Sequence, residues 1–70
     1  MQSYSFNKYG GFIVTLEDGQ VWQQLSGDTD IARWNKPAQN YEVRISRGLL
    51  GSYNLQVHNL PGVFKVRRTS

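Results

Sequence analysis

Hydrophobic and polar residues alternate along most of this chain of 70 residues, with the period of two that is typical of half-buried β-strands. Turn-forming pairs such as Gly10-Gly11 and Pro61-Gly62 separate the alternating segments. The pattern predicts six strands, which are Tyr4–Lys8, Phe12–Leu16, Gln20–Leu25, Tyr41–Arg47, Ser52–His58 and Val63–Arg68. Short strands at this spacing favour an all-β fold, a small SH3-like barrel of five to six antiparallel strands.

The segment 16–23 carries the strongest local signal, because Asp18-Gly19 stands between two alternating stretches. Asp-Gly favours a two-residue type I′ turn, in which both central residues have positive φ. Such a turn places Thr15 opposite Trp22. The predicted core face of this hairpin then holds Phe12, Val14, Leu16, Val21 and Leu25, and the opposite face holds Ile13, Thr15, Trp22 and Gln24.

In this register Ile13 and Trp22 point away from the core. Three arrangements are open: the loop through Trp34 covers them, a chain terminus covers them, or they form an exposed binding patch. Aromatic and apolar groups that stay exposed are typical of binding surfaces, so the third arrangement would indicate a binding site.

Two connecting segments are less regular than the strands. Residues 31–40 are expected to form an ordered loop with at most one short helical turn, which Asp30 would cap and Pro37 would limit. Leu49 and Leu50, between two glycines, either fold over one end of the barrel or offer an apolar contact.

Length, cysteine content and charge narrow the range of functions. The chain is long enough for one domain, residues 1–70, with a small core, and without cysteine it contains no disulfide. The net charge of +3 is unevenly distributed. Residues 1–30 have one lysine against four carboxylates, which gives −3, and residues 31–70 have seven basic residues against one glutamate, which gives +6. The basic half indicates either an anionic partner or a solvated strand face.

Three cations fall on the non-core faces of neighbouring predicted strands: Arg44, Lys65 and Arg67. Together they form a candidate patch for phosphates or for an acidic protein surface. Barrels that bind nucleic acid combine such charges with exposed stacking aromatics. Here the aromatics of the last three strands fall on the core side, and these are Tyr41, Tyr53 and Phe64.

The residue types needed for catalysis do not converge in this sequence. The single histidine, His58, is predicted near the end of a strand, without the partners of a nucleophile–base pair or a zinc site. Glu17 and Asp18 occupy a solvated hairpin tip, and Asp28-Thr29-Asp30 lacks the glycine and the final glutamate of a calcium loop. We therefore expect no enzymatic activity, no cofactor and no metal site.

Three short motifs resemble those of a small β-rich domain found in proteobacterial proteins, many of which are exported. The motifs are Gly19-Gln20-Val21-Trp22-Gln23-Gln24, Arg47-Gly48-Leu49-Leu50-Gly51-Ser52-Tyr53 and Phe64-Lys65-Val66-Arg67-Arg68. The resemblance covers most of residues 12–68 and implies a location in the periplasm or cell envelope. It implies no reaction, and an exported setting favours a protein partner over nucleic acid.

These observations predict a non-catalytic module that binds a protein or peptide. The residues predicted to contact the partner are Ile13, Trp22, Trp34, Arg44, Lys65 and Arg67. The alternative is a small barrel that binds nucleic acid through its basic strands. No apolar run is long enough for a membrane span, and no charged-then-apolar leader follows Met1, so the compartment is either the envelope implied by the resemblance or the cytoplasm.

Overall fold

The computed structural model describes residues 1–48 and 51–70. Its six β-strands are β1 (Ser3–Phe6), β2 (Phe12–Thr15), β3 (Val21–Gln24), β4 (Val43–Arg47), β5 (Tyr53–Val57) and β6 (Phe64–Arg68). A 3-10 turn, Ala38–Asn40, lies in the long connection between β3 and β4. The predicted all-β fold class is confirmed. Five of the six predicted segments contain one observed strand each, and the first, Tyr4–Lys8, overlaps β1, which begins one residue earlier and ends at Phe6.

The six strands form one antiparallel sheet in the order β1-β2-β3-β6-β5-β4. The last strand, β6, therefore lies between the two hairpins, with Gln23 opposite Arg67 on one side and Lys65 opposite Asn54 on the other. The sheet has the character of a small barrel but is not closed, since β1 and β4 are its two edges.

The predicted register of the β2–β3 hairpin is wrong by one residue. Val14 lies opposite Trp22, whereas the type I′ turn would have placed Thr15 there. Leu16 N–H donates to the carbonyl of Gln20 over 2.8 Å, and Gly19 N–H donates back to the carbonyl of Leu16 over 3.0 Å. The loop thus contains three residues, Glu17 to Gly19, and not two.

Backbone conformation explains this turn. Gly19 has φ of +92°, whereas Asp18 is not among the residues with positive φ. A three-residue loop with one left-handed glycine needs only that single positive φ, and it is the next most common hairpin connection after the two-residue turns. Asp18 instead uses its carboxylate, which accepts hydrogen bonds from the backbone N–H and the side-chain amide of Gln20.

The one-residue shift exchanges the two faces of β3, because successive side chains of a strand point to opposite sides. Trp22 and Gln24, which were predicted to point outward, are buried, and Val21, predicted in the core, is half-buried on the other side. On β2 the prediction is confirmed, since Phe12 and Val14 are fully buried.

The core lies on the concave side of the sheet. Its fully buried side chains are Phe12, Val14, Leu55 and Val66. An aromatic cluster covers them at the β1 end, and it consists of Tyr4, Phe6, Phe12, Trp34, Tyr41 and Phe64. Large aromatics bury about 150–250 Å² each, so this cluster supplies much of the apolar burial available to a chain of this size.

The predicted loop over residues 31–40 is confirmed, with one short turn, and the whole connection between β3 and β4 spans residues 25–42. Asp30 does not cap that turn, because the 3-10 turn begins after Pro37 and has no side-chain cap. The predicted alternatives for Leu49 and Leu50 lie outside the described residues. Among the described residues, no helix has the length and apolar character needed to cross a membrane.

Candidate functional site

Alternation along the six strands divides their side chains between the core and a convex surface, called here the outer face. It consists of Ser3, Ser5, Ile13, Thr15, Val21, Gln23, Lys65, Arg67, Asn54, Gln56, Arg44 and Ser46. Each of these residues lies beside an outer-face residue of the neighbouring strand, so the surface is continuous from β1 to β4.

The three predicted cations all lie on the β6-β5-β4 part of the outer face, where Arg44 is beside Gln56, Lys65 beside Asn54 and Arg67 beside Gln23. Arg44, Lys65 and Arg67 are all exposed, and they alternate with buried or half-buried residues of their strands. Lys65 Nζ donates to Asn54 Oδ1 over 2.9 Å, and the Arg67 guanidinium donates to Gln23 Oε1 over 3.3 Å. Because these acceptors are neutral amides, the hydrogen bonds orient the cations without neutralising them.

Ile13 also lies on the outer face, with 37% of its side chain exposed. It faces Ser5 on β1 and Gln23 on β3. The side chains on the β1-β2-β3 part of the outer face therefore carry no charge. Among the described strands, the outer face carries no aromatic ring and no carboxylate.

Trp22 does not belong to the outer face. Only 4% of it is exposed, and its ring packs edge-on against Tyr53 with 5.1 Å between ring centroids. Its indole N–H donates to Gln20 Oε1 over 3.0 Å. A buried indole needs such a partner for its N–H, and the hairpin tip provides it.

Trp34 is also buried, with 7% exposed, and the loop that carries it folds into the aromatic cluster. Its ring lies 4.8 Å from that of Phe12 and 5.4 Å from that of Tyr4. Trp22 and Ile13, for which three arrangements were considered together, therefore lie in different environments. Trp22 is a core residue through the changed register, and Ile13 stays half exposed.

Strand β4 has one side that no strand of the described chain covers. His58 N–H donates to the Glu42 carbonyl, and Gly48 N–H donates to the Ser52 carbonyl. Hydrogen-bonded pairs alternate in antiparallel ladders, so the N–H and C=O groups of Arg44 and Ser46 point toward β5. The corresponding groups of three other residues point to the open edge of the sheet, and these are Val43, Ile45 and Arg47.

Arg47 at the end of β4 is a functional candidate that the sequence reasoning missed. Its guanidinium lies 5.8 Å from the centroid of the Tyr53 ring and 3.5 Å from the Tyr53 hydroxyl. This contact keeps an exposed charge beside the open edge. The sequence does contain a signal for Arg47. It follows Val43 and Ile45 at the alternate positions that point to the core side, and a cation there interrupts the apolar pattern.

Asp28 uses its carboxylate for structural hydrogen bonds. Its Oδ2 accepts from the backbone N–H of Lys65 and from the buried amide of Gln24, each over 2.9 Å. That amide also donates to the Asp30 carbonyl over 2.8 Å. The Asp28 carboxylate therefore holds this loop against β6. Among the described residues, no group of acidic and histidine side chains is arranged to hold a metal ion.

Comparison with protein-family models, with curated proteins and with solved structures finds no match for this chain. The resemblance to the exported proteobacterial domain stays a prediction, as does the envelope location that it implies.

Proposed function

We propose that this chain is a non-catalytic module that binds a protein or peptide through the β6-β5-β4 part of its outer face. The observation that carries the proposal is the position of Arg44, Lys65 and Arg67 on one continuous, convex sheet surface. Neutral amides orient the charges of Lys65 and Arg67, which remain available to an anionic partner.

Ile13 extends this surface toward β1 as a half-exposed apolar contact. Trp22 and Trp34, by contrast, lie in the core. They hold the strands in place and do not touch the partner. Arginine is among the residues that contribute most to interface energies, and a rigid sheet reduces the entropy lost on binding.

The chemistry of the outer face favours an acidic protein or peptide over single-stranded nucleic acid. Proteins that bind single strands stack the bases on exposed aromatic rings, at about 1–3 kcal/mol per base. The described strands bring no ring to this face. Tyr9, which is 84% exposed, lies in the turn between β1 and β2 and not on a strand of the outer face, although it lines the same surface cavity as Arg67.

A display selection from a random-peptide library tests the proposal. The targets are the wild-type chain and the variant Arg44→Glu/Lys65→Glu/Arg67→Glu. We expect the selected peptides to be acidic and to bind the variant at least about tenfold more weakly, because each reversal replaces attraction by repulsion. Backbone amide shifts in NMR titrations should change on β4, β5 and β6.

The matched control is Lys8→Glu/Arg33→Glu/Lys36→Glu, which makes the same change in net charge at exposed positions that do not belong to the outer face. Equal loss of binding in both variants would show a general charge effect and contradict the proposed site. A random-sequence DNA duplex serves as the second probe. Binding that falls by about 40-fold or more between about 50 and 200 mM salt, the loss expected for three phosphate contacts, would establish the nucleic-acid alternative.

A further inference from the structure

The geometry points to β-strand addition at the open edge of β4 as the way in which the partner binds, with an extended acidic segment as the occupant. This inference rests on the proposed function and specifies its partner. An added strand would lie beside Arg44 at the rim of the outer face and extend the sheet by one strand.

The backbone of β4 offers the hydrogen bonds that an added strand needs. The N–H and C=O groups of Val43, Ile45 and Arg47 point away from β5, and within residues 1–48 and 51–70 no strand pairs with them. Unpaired edge groups of this kind are templates for another extended chain.

The apolar side chains next to this edge are also only partly buried. Val43 and Ile45 pack against the core but are only half-buried, whereas Leu55 and Val57 on the adjacent strand are buried. An apolar side chain of an added strand, placed opposite Ile45, would cover this part of the core.

Charge identifies the class of occupant. Arg44 projects on the outer side of β4 and Arg47 on the other side, so an antiparallel strand would place one residue opposite each guanidinium. Residues directly opposite in an antiparallel pair have Cβ atoms about 4.5–5.5 Å apart, within reach of an ion pair. A second copy of this chain, paired antiparallel about Ile45, would place Arg44 opposite Ser46 and Arg47 opposite Val43, so neither guanidinium would gain the opposite charge that an acidic segment supplies.

The matching ligand has acidic residues at two positions separated by two others. The probe peptide is Gly-Asp-Thr-Val-Glu-Val-Gly. When it pairs antiparallel with β4, its five central residues lie, in order, opposite Arg47, Ser46, Ile45, Arg44 and Val43. The two acidic side chains of the peptide therefore lie opposite Arg47 and Arg44. The other end of the edge approaches Glu42 and, across an open groove, the hairpin-tip residues Glu17 and Asp18.

N-methylation of the probe peptide separates strand addition from simple charge attraction. Methylation of the valine opposite Ile45 removes an N–H that would point toward β4, so binding measured by titration calorimetry should weaken about tenfold or more. Methylation of the glutamate opposite Arg44 affects an N–H that points away from β4, so the affinity should change less than about twofold. A peptide with lysine in place of both acidic residues should not bind.

The outcomes distinguish this inference from the proposed function. Equal affinities of the two N-methylated peptides, together with weaker binding to the outer-face variant, would overturn strand addition and leave the acidic partner in place. Binding of the lysine peptide as tightly as the acidic one would overturn the choice of occupant. A concentration-dependent dimer in sedimentation velocity that the substitution Arg47→Pro dissociates would assign the edge to a second copy and overturn the inference.

Discussion

The two edges of the sheet differ in how they are covered. Beside β1, the 25–42 connection packs Trp34 and Tyr41 against Tyr4, and the Tyr4 hydroxyl donates to the Lys36 carbonyl. Beside β4, no described strand pairs with the outward backbone groups of Val43, Ile45 and Arg47, although just before the strand the Tyr41 carbonyl accepts a hydrogen bond from the Met1 amine over 2.6 Å. The fold therefore uses its longest loop to complete one side of the barrel and leaves the other side available for an incoming chain.

The largest effect is expected from removing the cover of the first edge. Trp34→Ala deletes a buried ring at the centre of the aromatic cluster, and large-to-alanine changes of this kind cost about 3–5 kcal/mol. Urea unfolding followed by circular dichroism measures this loss. Ile31→Ala, in the same loop but 65% exposed, is the control and should change stability by no more than about 0.5 kcal/mol. Equal effects would show that the loop does not support β1.

A proline pair tests which backbone groups of β4 are paired. Ser46→Pro removes an N–H that bonds to β5, whereas Arg47→Pro removes one that points to the open edge, and both side chains are exposed. We expect the first variant to be less stable than the second by about 1–3 kcal/mol, measured by urea denaturation. The reverse order would contradict the assignment of the open edge.

The turn that faces β4 across the groove supplies a third, smaller effect. Gly19→Ala places a side chain at φ of +92° and should destabilise the fold by about 1 kcal/mol. Gly27→Ala is the matched control, because a Cβ there also meets open space and the backbone φ is not in the positive range. Thermal unfolding followed by calorimetry compares the two. A stabilised Gly19→Ala variant would contradict the three-residue turn.

The covered edge should also respond to alkaline pH. Burial, with a smaller contribution from Tyr41, raises the pKa of Tyr4 above its usual value near 10. The folded state holds the phenol proton more tightly than the unfolded state does, so this contribution to stability is fully present below about pH 10. It is lost as the pH rises through the folded-state pKa. Stability profiles of wild type and Tyr4→Phe should therefore converge at high pH, and parallel profiles would contradict this coupling.

Alternation alone was sufficient for β4 and β6. It placed Arg44, Lys65 and Arg67 on the non-core side, and the structure confirms that placement. The same rule failed at β3, because Asp18-Gly19 is compatible with a two-residue and a three-residue loop. The two loops differ in the φ of one aspartate, and that difference decides whether Trp22 is a surface or a core residue.

Two other features had no periodic signal. Trp34 lies in a loop, where burial follows from distant contacts with Phe12 and Tyr4 and not from the local pattern. The open edge at β4 depends on the insertion of β6 between β3 and β5, which is a long-range pairing. Strand order of this kind is decided by the whole sheet, so the sequence of β4 alone does not identify it as an edge.

Both indoles lie beneath the sheet, with one held by Gln20 and the other within the aromatic cluster. Their intrinsic fluorescence should therefore be that of shielded rings in the native protein and should shift to longer wavelength on unfolding. A ligand on the convex side or along β4 should leave this emission unchanged. One optical signal thus reports the integrity of the domain during a titration without responding to the binding itself.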